Sequence, residues 1–438
     1  MCMCVFKISD IAVSTTLNNS TDITIVNPTS ISHSIEFPEN ITIDIVNPTN
    51  TSTEIIFPEN TTIKITNPTD CVNDISNAVD TSVTITNPAD TQNIIFCAKN
   101  TSVTIINPVN CRNGFTNPYS CTMYRVVRYA PITILNPNNT TNDISHVDNT
   151  AVAIVNPTNT TNRMYRVERS VITVVNPTNT RNILYDVARC TVIITNPTNT
   201  SNEIYAAFNV TITNPVDTTN SINSSTNTVV SNPVNTSNSI SSVWTRNVTI
   251  SNPVNSSNSI SRVRKGNVTI SNPVNSSNNI TGLKNTTVAI TNPINAFNYI
   301  KYDSNITLTI ANPTNTRNTI GSWPNYYYCK YKPRPSTINI VNSKNTSNYF
   351  GYIKSTVLNI SHPINSVVTI RESCDSKINV IYPINTTLTI TNLNMSIQTD
   401  TTNTIRIPRN TTNPAAPTRR TTAAPISTTH VSFSGKFL

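Results

Sequence analysis

The stretch Val248–Ile280 reads VTISNPVNSSNSISRVRKGNVTISNPVNSSNNI and contains nearly the same phrase twice. The two copies keep the Asn-Pro pair and the apolar residues, whereas the segment SRVRKGN lies between them only once. The Asn of the pair recurs every 20 residues along most of the chain, with two steps of 18 residues and two longer steps of 29 and 30. A fixed period of this length is typical of solenoid repeats, and about eighteen units result.

Apolar residues occupy fixed positions within each unit. The residues two and four before the Asn are aliphatic, as in Val248 and Ile250, and the eighth residue after it is apolar, as in Ile260. This alternation of β-branched residues predicts strands. Between the strands, Pro fixes φ and Asn tolerates the left-handed conformation, so the Asn-Pro segment predicts a corner. Each unit is therefore predicted to form strand, corner, strand, corner.

Units of this size bury a core only when they stack coil on coil. Parallel strands about 4.8 Å apart then predict a rod on the order of 85 Å long. Asn residues recur at the start of the corner, three residues on and six residues on, and their amides are expected to hydrogen-bond from coil to coil. The predicted ladder residues are Asn252, Asn255, Asn258, Asn272, Asn275, Asn312, Asn315 and Asn318.

These features resemble the Asn- and Thr-rich β-solenoids, or parallel β-helices, that include pectate-lyase-like enzymes and surface fibres of viruses and microbes. The resemblance implies an all-β fold, a single elongated solenoid of about eighteen coils. Pectate-lyase-like enzymes carry clustered Asp and Arg on one face, whereas the acidic residues here are scattered along the chain. Their activity is therefore not carried over, and a protein that is not an enzyme is expected.

The repeat frame suggests three regions. Residues 1–21 lack the frame and are a candidate N-terminal cap or leader, and residues 22–392 form the predicted solenoid. The two long steps predict insert loops at 117–131 and 321–336. Residues 393–438 are predicted to form a last irregular coil and a disordered tail, because their Thr, Pro and Ala cannot bury a core.

The insert loops combine Tyr with Lys and Arg, a mixture that can stack on bases or sugars and bind phosphates. Packed tyrosines in a bulge of the solenoid are the alternative. The candidate partner-binding residues are Tyr124, Arg125, Arg128, Tyr129, Tyr326, Tyr327, Tyr328, Lys330, Lys332 and Arg334. Smaller basic patches, read either as a broken stripe or as a solvated face, are Arg163, Arg166 and Arg169, then Arg262, Arg264 and Lys265.

Composition narrows the classes of function. Only 12% of the 438 residues are charged and 6% aromatic, and the net charge of +9 is a low density for a nucleic-acid binder. No motif predicts a catalytic residue, a cofactor site or a metal site. The N-terminus lacks a basic leader with an apolar stretch, and no run is long enough to span a membrane, so a cytosolic or virion-associated protein is expected.

Nine cysteines without regular CxxC pairs predict reduced thiols. Cys71 and Cys111 share a column two coils apart, about 9.6 Å at strand spacing, which exceeds the roughly 7 Å limit between the Cα atoms of a disulfide. These two cysteines are therefore not expected to pair with each other.

The leading hypothesis is a structural or adhesive rod of a virion or microbial surface. A binding module for nucleic acid or polysaccharide, acting through the insert loops, is one alternative. An open reading frame that arose from tandem DNA repeats and has no defined function is another. A surface receptor, a glycan, nucleic acid and a second copy of the chain remain open as partners.

Overall fold

The computed structural model describes residues 22–116, 131–242, 247–322 and 335–400, and the backbone of three short strands at 4–6, 13–16 and 428–432. Its contacts divide the chain into a first unit, Met1–Ser239, and a second unit, Ile240–Leu438. All regular secondary structure of the described residues is β. Within that part of the chain, no helix is long and apolar enough to cross a membrane.

Most strands of the first unit are five residues long. They are β1 (Cys4–Phe6), β2 (Val13–Thr16), β3 (Ile23–Val26), β4 (Ser32–Glu36), β5 (Thr42–Val46), β6 (Ser52–Ile56), β7 (Thr62–Thr66), β8 (Val72–Ser76), β9 (Ser82–Thr86), β10 (Gln92–Phe96), β11 (Ser102–Ile106), β12 (Arg112–Thr116), β13 (Ile132–Leu135), β14 (Thr141–Ser145), β15 (Ala151–Val155), β16 (Thr161–Tyr165), β17 (Val171–Val175), β18 (Arg181–Tyr185), β19 (Thr191–Thr195), β20 (Ser201–Tyr205), β21 (Asn209–Thr213), β22 (Thr219–Asn223) and β23 (Asn227–Ser231).

The remaining strands begin with one at the boundary of the units and include several that continue around a corner. They are β24 (Ser237–Ser241), β25 (Val248–Ser251), β26 (Ser257–Ser261), β27 (Asn267–Ser271), β28 (Ser277–Thr291), β29 (Phe297–Ala311), β30 (Arg317–Ser322), β31 (Ser336–Val341), β32 (Ser347–Lys354), β33 (Thr356–Ser361), β34 (Val367–Ile381), β35 (Thr387–Asp400) and β36 (Thr428–Ser432).

Alternate strands pair in parallel, so each coil contributes one strand to each of two sheets. In the first unit β3 pairs with β5, and β4 pairs with β6, at a step of 20 residues. The step is 29 residues where Arg112 pairs with Thr141, so the chain between β12 and β13 is inserted without a change of register. The described residues form about 17 turns of a parallel β-solenoid, which confirms the predicted all-β fold class.

The core lies between the two sheets and is filled by the repeated apolar columns. Ile43 and Ile45 of β5 and Ile55 of β6 have no solvent exposure. Their strands show the alternating burial that an extended chain with one buried face requires. The predicted inward columns therefore form the core, and most of the described coils add three aliphatic side chains to it.

In most of the described coils the two corners have the same backbone geometry. The Asn-Pro corner has left-handed residues at its first and fourth positions, as at Asn47 (φ 50°) and Asn50 (φ 52°). The second corner repeats this pair with residues that seldom adopt the conformation, such as Arg166 (φ 51°) and Arg169 (φ 47°). The sequence indicated two equivalent corners only in the first coils, where FPEN follows each Asn-Pro by ten residues.

Backbone hydrogen bonds between coils explain why the conformation persists. Asn47 N donates to Thr66 O at 2.8 Å, and Thr69 N donates to Pro48 O at 2.9 Å. At the second corner Arg166 N donates to Tyr185 O at 3.2 Å. Each corner thus continues the ladder of the strands, and its backbone groups are paired whatever the side chain.

A buried hydroxyl or thiol follows most of the described corners and bonds to the neighbouring coil. Thr91 Oγ1 donates to Ala89 O at 2.7 Å and to Pro68 O at 3.3 Å. Cys71 fills an equivalent position, with its Sγ 3.0 Å from Thr69 O. Small side chains with one donor suit this site, because the two carbonyls converge on a single inward group.

Among the cysteines of the described residues, Cys71, Cys111 and Cys190 are buried and free. The expectation that Cys71 and Cys111 do not pair is therefore confirmed. Cys97 is disulfide-bonded, so the expectation of reduced thiols is wrong at this position.

Short strands near both ends of the chain pair with strands of the solenoid. β1 pairs in parallel with β3, and β36 pairs antiparallel with β35. The proposed disordered tail falls mostly on 401–427 and 433–438, which lie outside the described residues. The predicted boundaries at 21, 392 and the insert loops stay predictions.

Candidate partner-binding surface

The outward side of the second-strand sheet in the first unit carries an exposed aromatic ladder. Tyr165, Tyr185 and Tyr205 are the last residues of β16, β18 and β20. The rings of Tyr165 and Tyr185 stack with centroids 5.7 Å apart and planes 8° apart, and Tyr205 follows at 5.7 Å with a 50° tilt. Parallel strands place equal positions of successive coils side by side, so the three rings form one row.

Pairs of arginines and carboxylates lie on the same face, on one side of this row. Asp143 lies 3.3 Å from Arg112 and 3.5 Å from Arg163, and Arg181 lies 2.9 Å from Glu203. The arginine side chains are more than half exposed, so each pair contributes less than about 1 kcal/mol. The pairs order the side chains more than they stabilise the fold.

The second corner adds two further arginines beside the row. The guanidinium of Arg166 lies 5.1 Å from the centroid of Tyr165, a cation–π distance. Arg169 makes a two-pronged contact with the carboxylate of Asp148. We call this set the Tyr–Arg surface; it comprises Tyr165, Tyr185, Tyr205, Arg163, Arg166, Arg169 and Arg181.

The Tyr–Arg surface has the chemistry of a recognition site. Tyr and Arg are enriched at protein interfaces because both combine a large contact area with polar groups. Tyr has few rotatable bonds, and the guanidinium of Arg is planar, so each loses little conformational entropy on binding. Tyr165 and Tyr185 are 40% and 53% exposed, and their faces cover each other, so ring edges and hydroxyls remain open to a partner. Carboxylates neutralise most of the arginines, which favours an uncharged or mixed-charge partner over a polyanion.

Only part of this surface was predicted from the sequence. Arg163, Arg166 and Arg169 were predicted as a basic patch, whereas the tyrosines were not. The available signal was the 20-residue spacing of Tyr165, Tyr185 and Tyr205, which places them in one column. The ten predicted partner-binding residues, from Tyr124 to Tyr129 and from Tyr326 to Arg334, lie outside the described residues.

The second basic patch, in the second unit, lies at a corner. Arg262 and Lys265 are the two left-handed residues of that corner, with φ of 56° and 55°. Arg264 stands between them and is exposed. The patch therefore projects from the corner rather than from a sheet.

The predicted ladder residues of the second unit lie in three columns. The first two columns are exposed: Asn272 Nδ2 donates to Asn252 Oδ1 at 2.9 Å, and Asn275 Nδ2 to Asn255 Oδ1 at 3.3 Å. In the same columns Asn312 donates to Asn292 at 2.9 Å and Asn315 to Asn295 at 3.2 Å.

The third column differs from the expectation of a corner position. Asn258 lies within β26, faces the core and donates to Asn278 Oδ1 at 2.9 Å. Asn318 is likewise buried and donates to Asn348 Oδ1 at 2.8 Å. Alternation along the strand turns this position inward together with the apolar residue two places later.

A shallow groove of about 560 Å³ crosses the second unit beside the exposed amides of Asn295, Asn315 and Asn345. Phe297 and Arg317 form part of its wall, with the guanidinium 5.8 Å from the ring centroid. The groove offers amide, guanidinium and aromatic groups in one row, and it is a second, smaller candidate contact site.

Burial shifts the pKa of several ionisable groups outside these surfaces. Burial lowers the pKa of His33, and burial together with the negative charge of Glu54 raises the pKa of Asp74. Burial raises the pKa of Cys190 to about 11 and that of Tyr302 to about 12. Across the described residues, no group of three or more His, Cys, Asp or Glu could hold a metal ion.

Fold and ladders together define a class: the chain is a parallel β-solenoid with asparagine ladders. No protein-family model matches the chain. A search of curated proteins likewise finds no match.

Solved structures similar to the chain include two mutant tailspike proteins of the E. coli bacteriophage HK620, one of them in complex with a hexasaccharide. The sequence identities are 10% and 8%, and each comparison covers 84% of this chain and 73% of the tailspike. The TM-score is 0.15 in both cases, which is too low to carry an argument about fold or function.

Proposed function

We propose that the protein is a non-enzymatic structural or adhesive repeat protein, a stiff support of the kind found on a virion or microbial surface. The observation that carries the proposal is the coil-to-coil bonding of every layer. Each coil of the first unit is joined to the next by backbone bonds in strands and corners and by Asn side chains. Such a stack resists local opening, because one coil cannot separate without breaking all of these bonds.

The adhesive part of the proposal rests on the Tyr–Arg surface. The strands of adjacent coils hold the tyrosine ladder in place before a partner binds. Little conformational entropy is therefore lost on binding, and preorganisation of this kind increases affinity. The mixed charge of the surface points to a polysaccharide or a protein receptor on the surface to which the support attaches. The insert loops stay a second, sequence-based candidate for the same role.

Hydrogen exchange of the purified chain tests the structural part. Strand amides of the first unit, from β5 to β22, are expected to exchange far more slowly than those of an unstructured chain, and circular dichroism is expected to report β-structure. Electron microscopy tests the sequence-based prediction of rods on the order of 85 Å long. A random-coil spectrum with unprotected amides would sink the proposal.

Binding measurements test the adhesive part. The full chain is screened against immobilised polysaccharides and surface proteins, and any hit is repeated with Tyr185→Ser and Arg181→Gln. Both variants are expected to weaken binding at least about tenfold, the size of a hot-spot loss. The matched control is Thr219→Ala, on the same face two coils beyond Tyr185. Equal binding by all variants would exclude the Tyr–Arg surface and leave the insert loops as the candidate.

A further inference from the structure

Charge is distributed unequally between the two faces of the first unit. The neutral face comprises the outward residues of the first-strand sheet in β9, β11, β13, β15, β17, β19, β21 and β23. These outward residues are Ser, Thr, Asn, Ala, Val, Ile and Leu, with Pro131 at one edge, and none of them is charged. The opposite face of the same coils carries Arg112, Asp143, Arg163, Arg181 and Glu203.

Folding does not require this neutrality. Asp44, Lys64 and Thr84 are register partners in adjacent coils, so the column that holds Thr84 accepts either charge. These positions point outward, where a long charged side chain reaches water. The absence of charged residues from the neutral face between β9 and β23 therefore indicates a surface that contacts another molecule.

In its middle coils the neutral face is most apolar along the edge where the strands end. Ile106, Leu135, Val155 and Val175 form one column in four successive coils, Ile193 of the next coil lies in the neighbouring column, and each is only half-buried. Val171, at the opposite edge, is 47% exposed. Partly exposed apolar side chains that recur along a regular sheet favour a contact surface.

We propose that the neutral face binds the same face of a second copy of the chain. Two such faces bury no charge, so the desolvation cost that charged faces would suffer does not arise. The rows of side chains are spaced about 4.8 Å apart in both copies, and side chains of two sheets that pack face to face interdigitate.

The size of the face suits a weak dimer. Eight coils at about 4.8 Å and three outward residues per strand give roughly 40 Å by 13 Å, or about 500 Å² per copy. The total of about 1,000 Å² is the least that a biological interface buries and is below the roughly 1,200 Å² of stable ones. In a dimer with twofold symmetry both copies use the same patch, so association stops at two subunits.

Sedimentation velocity of the full chain, from low micromolar to about 100 µM, tests the proposal. The wild type is expected to associate to a dimer. Ala153→Lys is expected to raise the dimer dissociation constant at least about tenfold, because it buries a charge at the centre of the patch. Ala153 lies in the column that accepts Lys64 in the wild type, so the variant is expected to fold. Thr173→Lys, one coil further, is the second variant should Ala153→Lys misfold.

The control is Ser221→Lys, which adds the same charge to the outward side of β22 on the opposite face. It is expected to leave the dissociation constant unchanged. Raising the salt concentration is expected to keep or strengthen the dimer, because salt screens the repulsion between two chains of charge +9. Three results would each overturn the proposal: a monomer throughout the concentration range, a dimer insensitive to both lysines, or a dimer that dissociates in high salt.

Discussion

Asn142 donates its Nδ2 hydrogen to Oδ1 of Asn162 at 2.8 Å, and both side chains are fully buried. The bond points toward the following coil, and Asn162 continues it to Asn182 at 2.8 Å. The exposed ladder at the corner runs the other way, since Asn156 donates to Asn136 of the preceding coil at 2.9 Å. The buried amide ladder in the core and the exposed ladders at the corner thus run in opposite directions along the first unit.

The buried ladder is expected to be far more sensitive in its interior than at its end. Asn162→Val leaves two buried groups unpaired, the Nδ2 of Asn142 and the Oδ1 of Asn182, and is expected to destabilise the protein by about 2–4 kcal/mol. Asn73 is the first member, and its own Oδ1 has no partner, so Asn73→Val leaves the number of unpaired groups unchanged. That variant is expected to cost under about 1 kcal/mol.

Urea unfolding of both ladder variants checks this difference. Hydrogen exchange of the coils flanking each site shows whether the loss is local, as expected of a repeat array. Equal losses for Asn162→Val and Asn73→Val would contradict the proposed role of paired amides.

Replacing a strained corner residue is expected to stabilise the fold. Ala206 is exposed at a second corner with φ of 61°, a conformation that costs an L-residue about 1–2 kcal/mol. Ala206→Gly removes most of this cost and is expected to gain about 0.5–1 kcal/mol. Ala151→Gly, at an exposed strand position, is expected to lose a similar amount. Thermal unfolding of both variants checks the opposite signs, and a loss in both would refute the strain argument.

Asp74 is expected to make stability depend on pH. Asp74 and Glu54 are partners on adjacent strands, and burial and this like charge raise the pKa of Asp74 above its ordinary 3.8. The folded state therefore favours the protonated acid: its contribution is complete below pH 3.8 and is lost as the pH rises through the higher folded-state pKa.

Asp74→Asn is accordingly expected to stabilise the protein at pH 7 by under about 1 kcal/mol, with the gain vanishing below the ordinary pKa of the acid. Asp143→Asn is the control, because Asp143 contacts Arg112 and Arg163 and its removal brings no such gain. Denaturation midpoints at several pH values measure both effects. A gain for Asp74→Asn that persists in acid would exclude titration as its cause.

Cys190 is expected to resist alkylation while the protein is folded. Its side chain is buried, and its pKa of about 11 keeps the thiolate scarce at pH 8. Iodoacetamide labelling followed by mass spectrometry is expected to modify Cys190 only after denaturant is added. Rapid labelling of Cys190 in the native protein would mean that the corner next to this cysteine opens readily.

Much of the fold could be predicted from the sequence because the repeat aligns equivalent positions of successive coils in columns. The columns of Val248, Ile250 and Ile260 predicted inward positions, and all three are fully buried. The Tyr–Arg surface was harder to predict from the sequence. Tyr165, Tyr185 and Tyr205 occupy a variable column, where spacing alone does not distinguish a ladder from chance.

The coil length, the two strands of each coil and the inward aliphatic columns follow from the amino-acid pattern alone, because alternation and a fixed period leave one arrangement that buries them. The fold was needed to show that Arg166 and Arg169 adopt the left-handed pair that Asn adopts elsewhere, and that Asn258 faces the core. The reason is the neighbouring coil. Its backbone hydrogen bonds fix each corner and each strand register, and they outweigh the local preference of the residue that stands there.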